Sequence, residues 1–199
     1  NNRSIANISA IPGAAKSLIH IKTLTASSSS DLSFVDGSSD VVLDSTYPIY
    51  VFKFIDIHPA NNNTHLMVNF RDGGSSYDAT KTTTVFYSYH DESASEASVI
   101  YSTGSDLAQS TSAQRLTGGT GNGADESASG TLHLFNPSST TFVKHFIGLS
   151  STYNHSNYHN SWYSAGYCNV TAAIDAVQFS MSSGNIDAGT IKLYGLKDS

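Results

Sequence analysis

The chain has 199 residues, of which 39% are hydrophobic and only 13% charged, with a formal net charge of -6. A length of this order serves one core that buries ~70% of the unfolded surface, and the acid excess excludes a surface that tracks nucleic-acid phosphates, which depends on Lys and Arg displacing counterions. No apolar run approaches the ~20 residues of a membrane helix, so neither nucleic acid nor membrane is expected as a partner.

Residues 1–16 carry Ile5, Ile8 and Ile11 ahead of a Pro12-Gly13 break. They read as an extended N-terminal arm that docks on a neighbouring subunit or on its own domain, with residues 17–199 as one β-sandwich domain. β-branched residues at 18–24 predict a first strand. Two short strands at 31–35 and 40–43 flank Asp36-Gly37, the turn signal of a hairpin. Between Pro48 and Pro59, Ile49, Val51, Ile55 and Ile57 alternate with Tyr50, Phe52 and Phe54. That pattern predicts a central strand with apolar surface on both faces. Residues 65–70 alternate with Leu66, Val68 and Phe70 inward, and residues 82–90 place Val85, Tyr87 and Tyr89 opposite Phe86.

The acidic segment 91–97 is compatible with a helical turn or two. A short strand follows at 98–102. Residues 104–129, rich in Gly, Ser, Thr and Asn, are expected to make a long surface excursion or a hairpin with wide loops. A hairpin is predicted from 130–135 and 140–149 around Asn136-Pro137, with Leu132 and Leu134 alternating in its first arm and Phe142 and Phe146 opposite Val143 and Ile147 in its second. Residues 151–160 read as a loop. Three strands at 162–170, 174–181 and 190–196 close the chain. About ten short strands without a convincing helix predict an all-β, jelly-roll-like β-sandwich.

Tyr153, His155, Tyr158, His159, Trp162 and Tyr163 form the candidate contact surface, because rigid aromatics with polar tips provide interface area at low entropic cost. His155 and His159 are four apart, but no nearby acid or cysteine completes a metal set. Asp72 and Asp78, like Asp36 and Asp40, lack the acidic spacing of a calcium loop. The pairs Glu92/Glu96 and Asp125/Glu126 are read as solvated, whereas glycosidic acid catalysis needs a carboxyl raised by burial. Cys168, the single cysteine, reads as a small buried hydrophobe. No cofactor and no enzymatic activity are expected.

The closing segment 183–196, Ser-Gly-Asn-Ile-Asp-Ala-Gly-Thr-Ile-Lys-Leu-Tyr-Gly-Leu, resembles the C-terminal ending of small structural proteins of tailed bacteriophages, marine phages especially. Three upstream blocks, at 50–60, 71–77 and 130–146, share the resemblance. It implies a β-sandwich virion protein, an external component of tail, baseplate or fibre or a decoration of the head surface, and brings no catalytic residues. The expected partners are copies of itself, with a trimer as the first choice, and other virion proteins. A module binding host surface glycan through the aromatic residues is the alternative. No leader segment is read, so synthesis in a host bacterial cytoplasm and residence in the virion are expected.

Overall fold

The computed structural model describes residues 18–197. The arm with Ile5, Ile8 and Ile11 lies outside the described residues. Twelve strands follow in order: β1 Leu18–Thr25, β2 Asp31–Val35, β3 Ile49–Pro59, β4 Leu66–Arg71, β5 Lys81–Asp91, β6 Ala97–Tyr101, β7 Gln114–Arg115, β8 Ala128–Phe135, β9 Lys144–Asn154, β10 Tyr158–Cys168, β11 Ala176–Met181 and β12 Ile186–Leu196. They build two antiparallel sheets, one ordered β1-β12-β3-β8-β9-β10-β5-β6 and the other β2-β11-β4-β7.

Within this arrangement, β1-β12-β3-β8 faces β2-β11-β4-β7, and the chain passes between the two sheets in the sequence of a jelly roll. The expected β-sandwich is therefore present. Two insertions enlarge it. The β5–β6 hairpin enters between β4 and β7, the β9–β10 hairpin enters between β8 and β11, and β10 pairs with β5 so that both extend the same sheet. The β5–β6 hairpin thereby becomes one edge, while β1 remains the other.

The core follows from alternation. Tyr50, Phe52 and Phe54 of β3, Leu66, Val68 and Phe70 of β4, and Leu132 and Leu134 of β8 are buried between the sheets. Phe34, Phe52 and Phe179 meet with ring centroids 5.3 to 6.2 Å apart. Each such ring contributes about 1.5–3 kcal/mol relative to exposure. Cys168 is buried in the same core.

Strict alternation fails in β3. One extra residue at Ile55-Asp56 shifts its register against both β8 and β12, and Asp56 takes a φ of 52°. This β-bulge turns Ile57 from the face of Val51 to the core face, where it is buried beside Phe54. Among the described residues, the opposite face of β3 has no second layer. Val51 is instead covered by its cross-strand neighbours His133 and Tyr194, and Ile55 is exposed.

Four other expectations change. Residues 40–43 form no strand: Gly37, Ser39 and Asp40 have positive φ, and the Asp36 carboxylate accepts the Leu43 amide at 2.8 Å, which folds Val41 and Leu43 into the core as a compact loop. Residues 92–96 are the β5–β6 turn rather than helix, because the Asp91 carboxylate accepts the amides of Ser95 and Glu96 and so competes for the backbone. Phe142 stands exposed in the β8–β9 loop while Phe146 is buried. Residues 105–121 are a surface excursion only at 108–109 and 111–112, which are exposed, whereas 114–121 are buried almost throughout. They run as a strap under the inserted hairpins, with β7 pairing β4, Thr64 and Thr120 exchanging backbone bonds, Leu107 accepting from the Thr83 amide, and Ser150 donating to the Leu116 carbonyl at 2.7 Å. Small residues suit this close passage: a Cβ at Gly118 would lie 2.7 Å from Asn160 Oδ1.

Candidate functional site

The aromatic segment expected as a loop is a hairpin. β9 runs to Asn154 and β10 starts at Tyr158, so only residues 155–157 turn between them. Asn157, at a φ of 61°, and the Asn154 side chain, accepting the Ser156 amide, close the turn.

Period-2 alternation then divides the six candidate residues. Tyr158 and Trp162 project to the inner face and join His155 in one groove, while Tyr153, His159 and Tyr163 project outward. His159 exchanges a 3.0 Å hydrogen bond with Ser151, and Tyr163 stacks on Phe86 at 4.7 Å between centroids. The six do not make one surface.

The inner groove has a volume of about 430 Å³ and lies between the tips of β5, β6, β9 and β10, the strap, and His65 beside β4. Trp162 forms its base, 5% exposed and stacked on Tyr87 with centroids 4.9 Å apart and planes 13° from parallel. Tyr89 stands 6.3 Å from Tyr87 and meets Tyr158 edge-on at 5.5 Å. The tyrosines are half-buried. They give the groove an aromatic wall with polar tips.

Charges of both signs line it. The Tyr158 hydroxyl donates to Glu96 at 3.3 Å, and that carboxylate raises the phenol's pKa and keeps it protonated. Arg115 comes from the strap; its guanidinium donates to Ser105 Oγ at 3.2 Å and makes no salt bridge among the described residues. His65 donates from Nδ1 to the Thr117 carbonyl at 3.1 Å, which leaves Nε2 without a proton in the neutral ring. Burial first, and Arg115 second, hold this histidine below its ordinary pKa. Beneath the strap, Thr152 Oγ1, Asn160 Oδ1, Trp162 Nε1 and Ser164 Oγ are buried with no hydrogen-bond partner, so the floor is polar as well as aromatic.

Tyr87 and Tyr89 share the face expected of them, and their i, i+2 spacing was the legible part of this site. Arg115, Glu96, His65 and Asn160 are additions that no local pattern announced, since they come from four separate elements. The carboxylates weighed for hydrolysis are dispersed. Glu92, Glu96 and Asp125 are exposed, and half-buried Glu126 accepts the Gly123 amide. Among the described residues, no group of three or more His, Cys, Asp and Glu is placed to hold a metal.

Comparison of the chain with models of known protein families, with curated proteins and with solved structures finds no match.

Proposed function

We propose that the chain is a non-enzymatic structural protein of a tailed-phage particle, an external component that works by packing against copies of itself and neighbouring virion proteins. One observation carries this reading. On the outer face of the eight-stranded sheet, Tyr101, Phe86, Tyr163 and Leu149 stand in register across β6, β5, β10 and β9, with Tyr101, Phe86 and Leu149 exposed by 54%, 44% and 50%. Val99 and Ile147 flank the row and are exposed too. Contiguous apolar surface of this kind marks a contact site, whereas scattered apolar residues need no explanation. The row ends at β6, an edge strand whose free backbone groups can pair with another chain.

The resemblance of four sequence blocks to phage structural proteins supplies the particle. Gold-labelled antibody imaging of intact particles from a source lysate tests it. Label along the tail, at its tip or over the head supports the proposal and locates the protein; particles free of label overturn it. A second reading, saccharide recognition, is favoured by a separate observation, the tyrosine-walled inner groove with a guanidinium that makes no salt bridge among the described residues.

A further inference from the structure

From the composition of the inner groove, we propose that it binds an acidic saccharide, a pyranose bearing a carboxylate, with the sugar ring against the tyrosine wall and the carboxylate on Arg115. This deepens the saccharide reading and is independent of the assembly reading, because the apolar row lies on the other face of the same sheet.

The ligand class follows from what the groove offers. Tyr87, Tyr89 and Tyr158 present aromatic surface, which suits the C–H face of a sugar ring and gives little to a fully polar ligand. Around them, Ser102, Asn154 and Ser156 provide neutral groups that can both donate and accept, as ring hydroxyls require. The volume of about 430 Å³ accommodates one or two sugar units and is open to solvent along its length.

Arg115 selects the acid. Its planar fork matches a carboxylate with two parallel hydrogen bonds, and among the described residues its only side-chain hydrogen bond is to a neutral hydroxyl. The surroundings keep that end of the groove positive or neutral: His65, His155 and the backbone of Gly118 and Gly119 line it with Arg115. The one groove-lining carboxylate, Glu96, is hydrogen-bonded to Tyr158. It is there an acceptor for sugar hydroxyls and a repulsive element against a ligand with two carboxylates side by side. In a chain with a net charge of -6, an arginine without an acid partner among the described residues, set beside an aromatic wall, is a local reversal of sign. A long, rotamer-rich side chain held partly buried in that state suits a charge brought by a ligand.

The test is titration of the whole chain with glucuronate, galacturonate, glucose and galactose, followed by saturation-transfer NMR and by the fluorescence of Trp162, the only tryptophan. Both hexuronates are expected to bind, and more tightly than the neutral sugars by about 10-fold, the increment of a charge-assisted hydrogen bond. Arg115→Gln should remove that preference, lowering hexuronate affinity about 10-fold while leaving the weak binding of glucose as it is. Tyr89→Ala should weaken acid and neutral sugars alike. If Arg115→Gln fails to fold, Arg115→Lys serves: it keeps the charge without the fork and should bind at an intermediate strength. Equal affinity for hexuronate and neutral sugar overturns the acidic assignment, as does an Arg115→Gln protein with unchanged preference. No saturation transfer from any of the four sugars overturns the site altogether. Such a failure would leave antibody labelling and chain mass untouched, so it is separable from failure of the assembly reading.

Discussion

Lys81, Cys168 and Lys144 lie side by side on β5, β10 and β9, and all three side chains are fully buried. Lys81 Nζ donates to the Ala79 carbonyl at 2.7 Å and to Asn69 Oδ1 at 2.5 Å, and Lys144 Nζ donates to the Val170 carbonyl at 3.0 Å, so both ammonium groups are satisfied by neutral oxygens alone. Burial pulls Lys81 down to about 8 and pushes the Cys168 thiol up to about 12. The two act on stability with opposite signs. Between about 8 and the ordinary lysine value of 10.5, unfolded Lys81 keeps a proton that the folded state has lost, so stability rises with pH. From the ordinary cysteine value of 9.0 up to about 12, the folded thiol keeps a proton that the unfolded chain has lost, so stability falls. Urea unfolding of Cys168→Ala should therefore show stability climbing between about pH 7 and about pH 10, by on the order of 2 kcal/mol. Lys81→Met should remove the larger part of that climb, with Lys144, shifted in the same direction, leaving a remainder. A flat profile for Cys168→Ala would show that Lys81 keeps the ordinary lysine value in the folded state, so that burial does not pull it down.

At the level of elements, the bulge of β3 and the glycine of β12 form one device. Gly189 sits opposite the extra residue with a φ of +117°, and a Cβ there would lie 2.6 Å from the Asp56 carbonyl oxygen and 2.8 Å from Ile57 Cα. Both contacts are to backbone, which cannot swing aside as a side chain would. Gly189→Ala is expected to destabilise the protein by on the order of 2 kcal/mol or more, combining left-handed strain with overpacking. The loss is read as a lower urea midpoint with an unchanged slope. An unchanged midpoint would mean that the strand pair can slide without its bulge, and Ile57 would then have no fixed reason to face the core. The strap is a second device of the same kind. Its Gly118 touches Asn160 so closely that the groove's depth depends on a residue with no side chain.

For the whole molecule, the two hairpin insertions give one sheet twice the strands of the other. The smaller sheet and the strap cover the inner face, and among the described residues nothing covers the outer one, which leaves the apolar row open to another molecule. In solution the chain should scatter light with a mass three times its 21.1 kDa, the trimer expected of a symmetric appendage. Phe86→Ser with Leu149→Ser should return it to monomer without loss of fold, since both side chains stand on the open face. A parent protein that stays monomeric at all concentrations would sink the outer row as a self-contact.

The class of fold and most of the core were legible from local residue patterns. Alternation is a local property, so Leu66, Val68 and Phe70, or Leu132 and Leu134, could be assigned to an inner face without knowing what they meet. Local reading failed where a backbone conformation or a distant segment intervened. Ile57 followed the wrong parity because a bulge is invisible to a period of two. Asp40 to Leu43 gave a strand-like pattern that the Asp36 carboxylate bends into a loop. The strap looked like surface because it has few apolar anchors, yet its 116–121 stretch is buried by closeness of backbone rather than by hydrophobic side chains. The candidate site shows the same division. Tyr153, His155, Tyr158, His159, Trp162 and Tyr163 are clustered in sequence and were legible as aromatic contact residues. That a hairpin sends half of them to each face follows from the pairing of β9 with β10, and strand pairing over long separations brings Tyr87, Tyr89, His65, Glu96 and Arg115 to those that point inward.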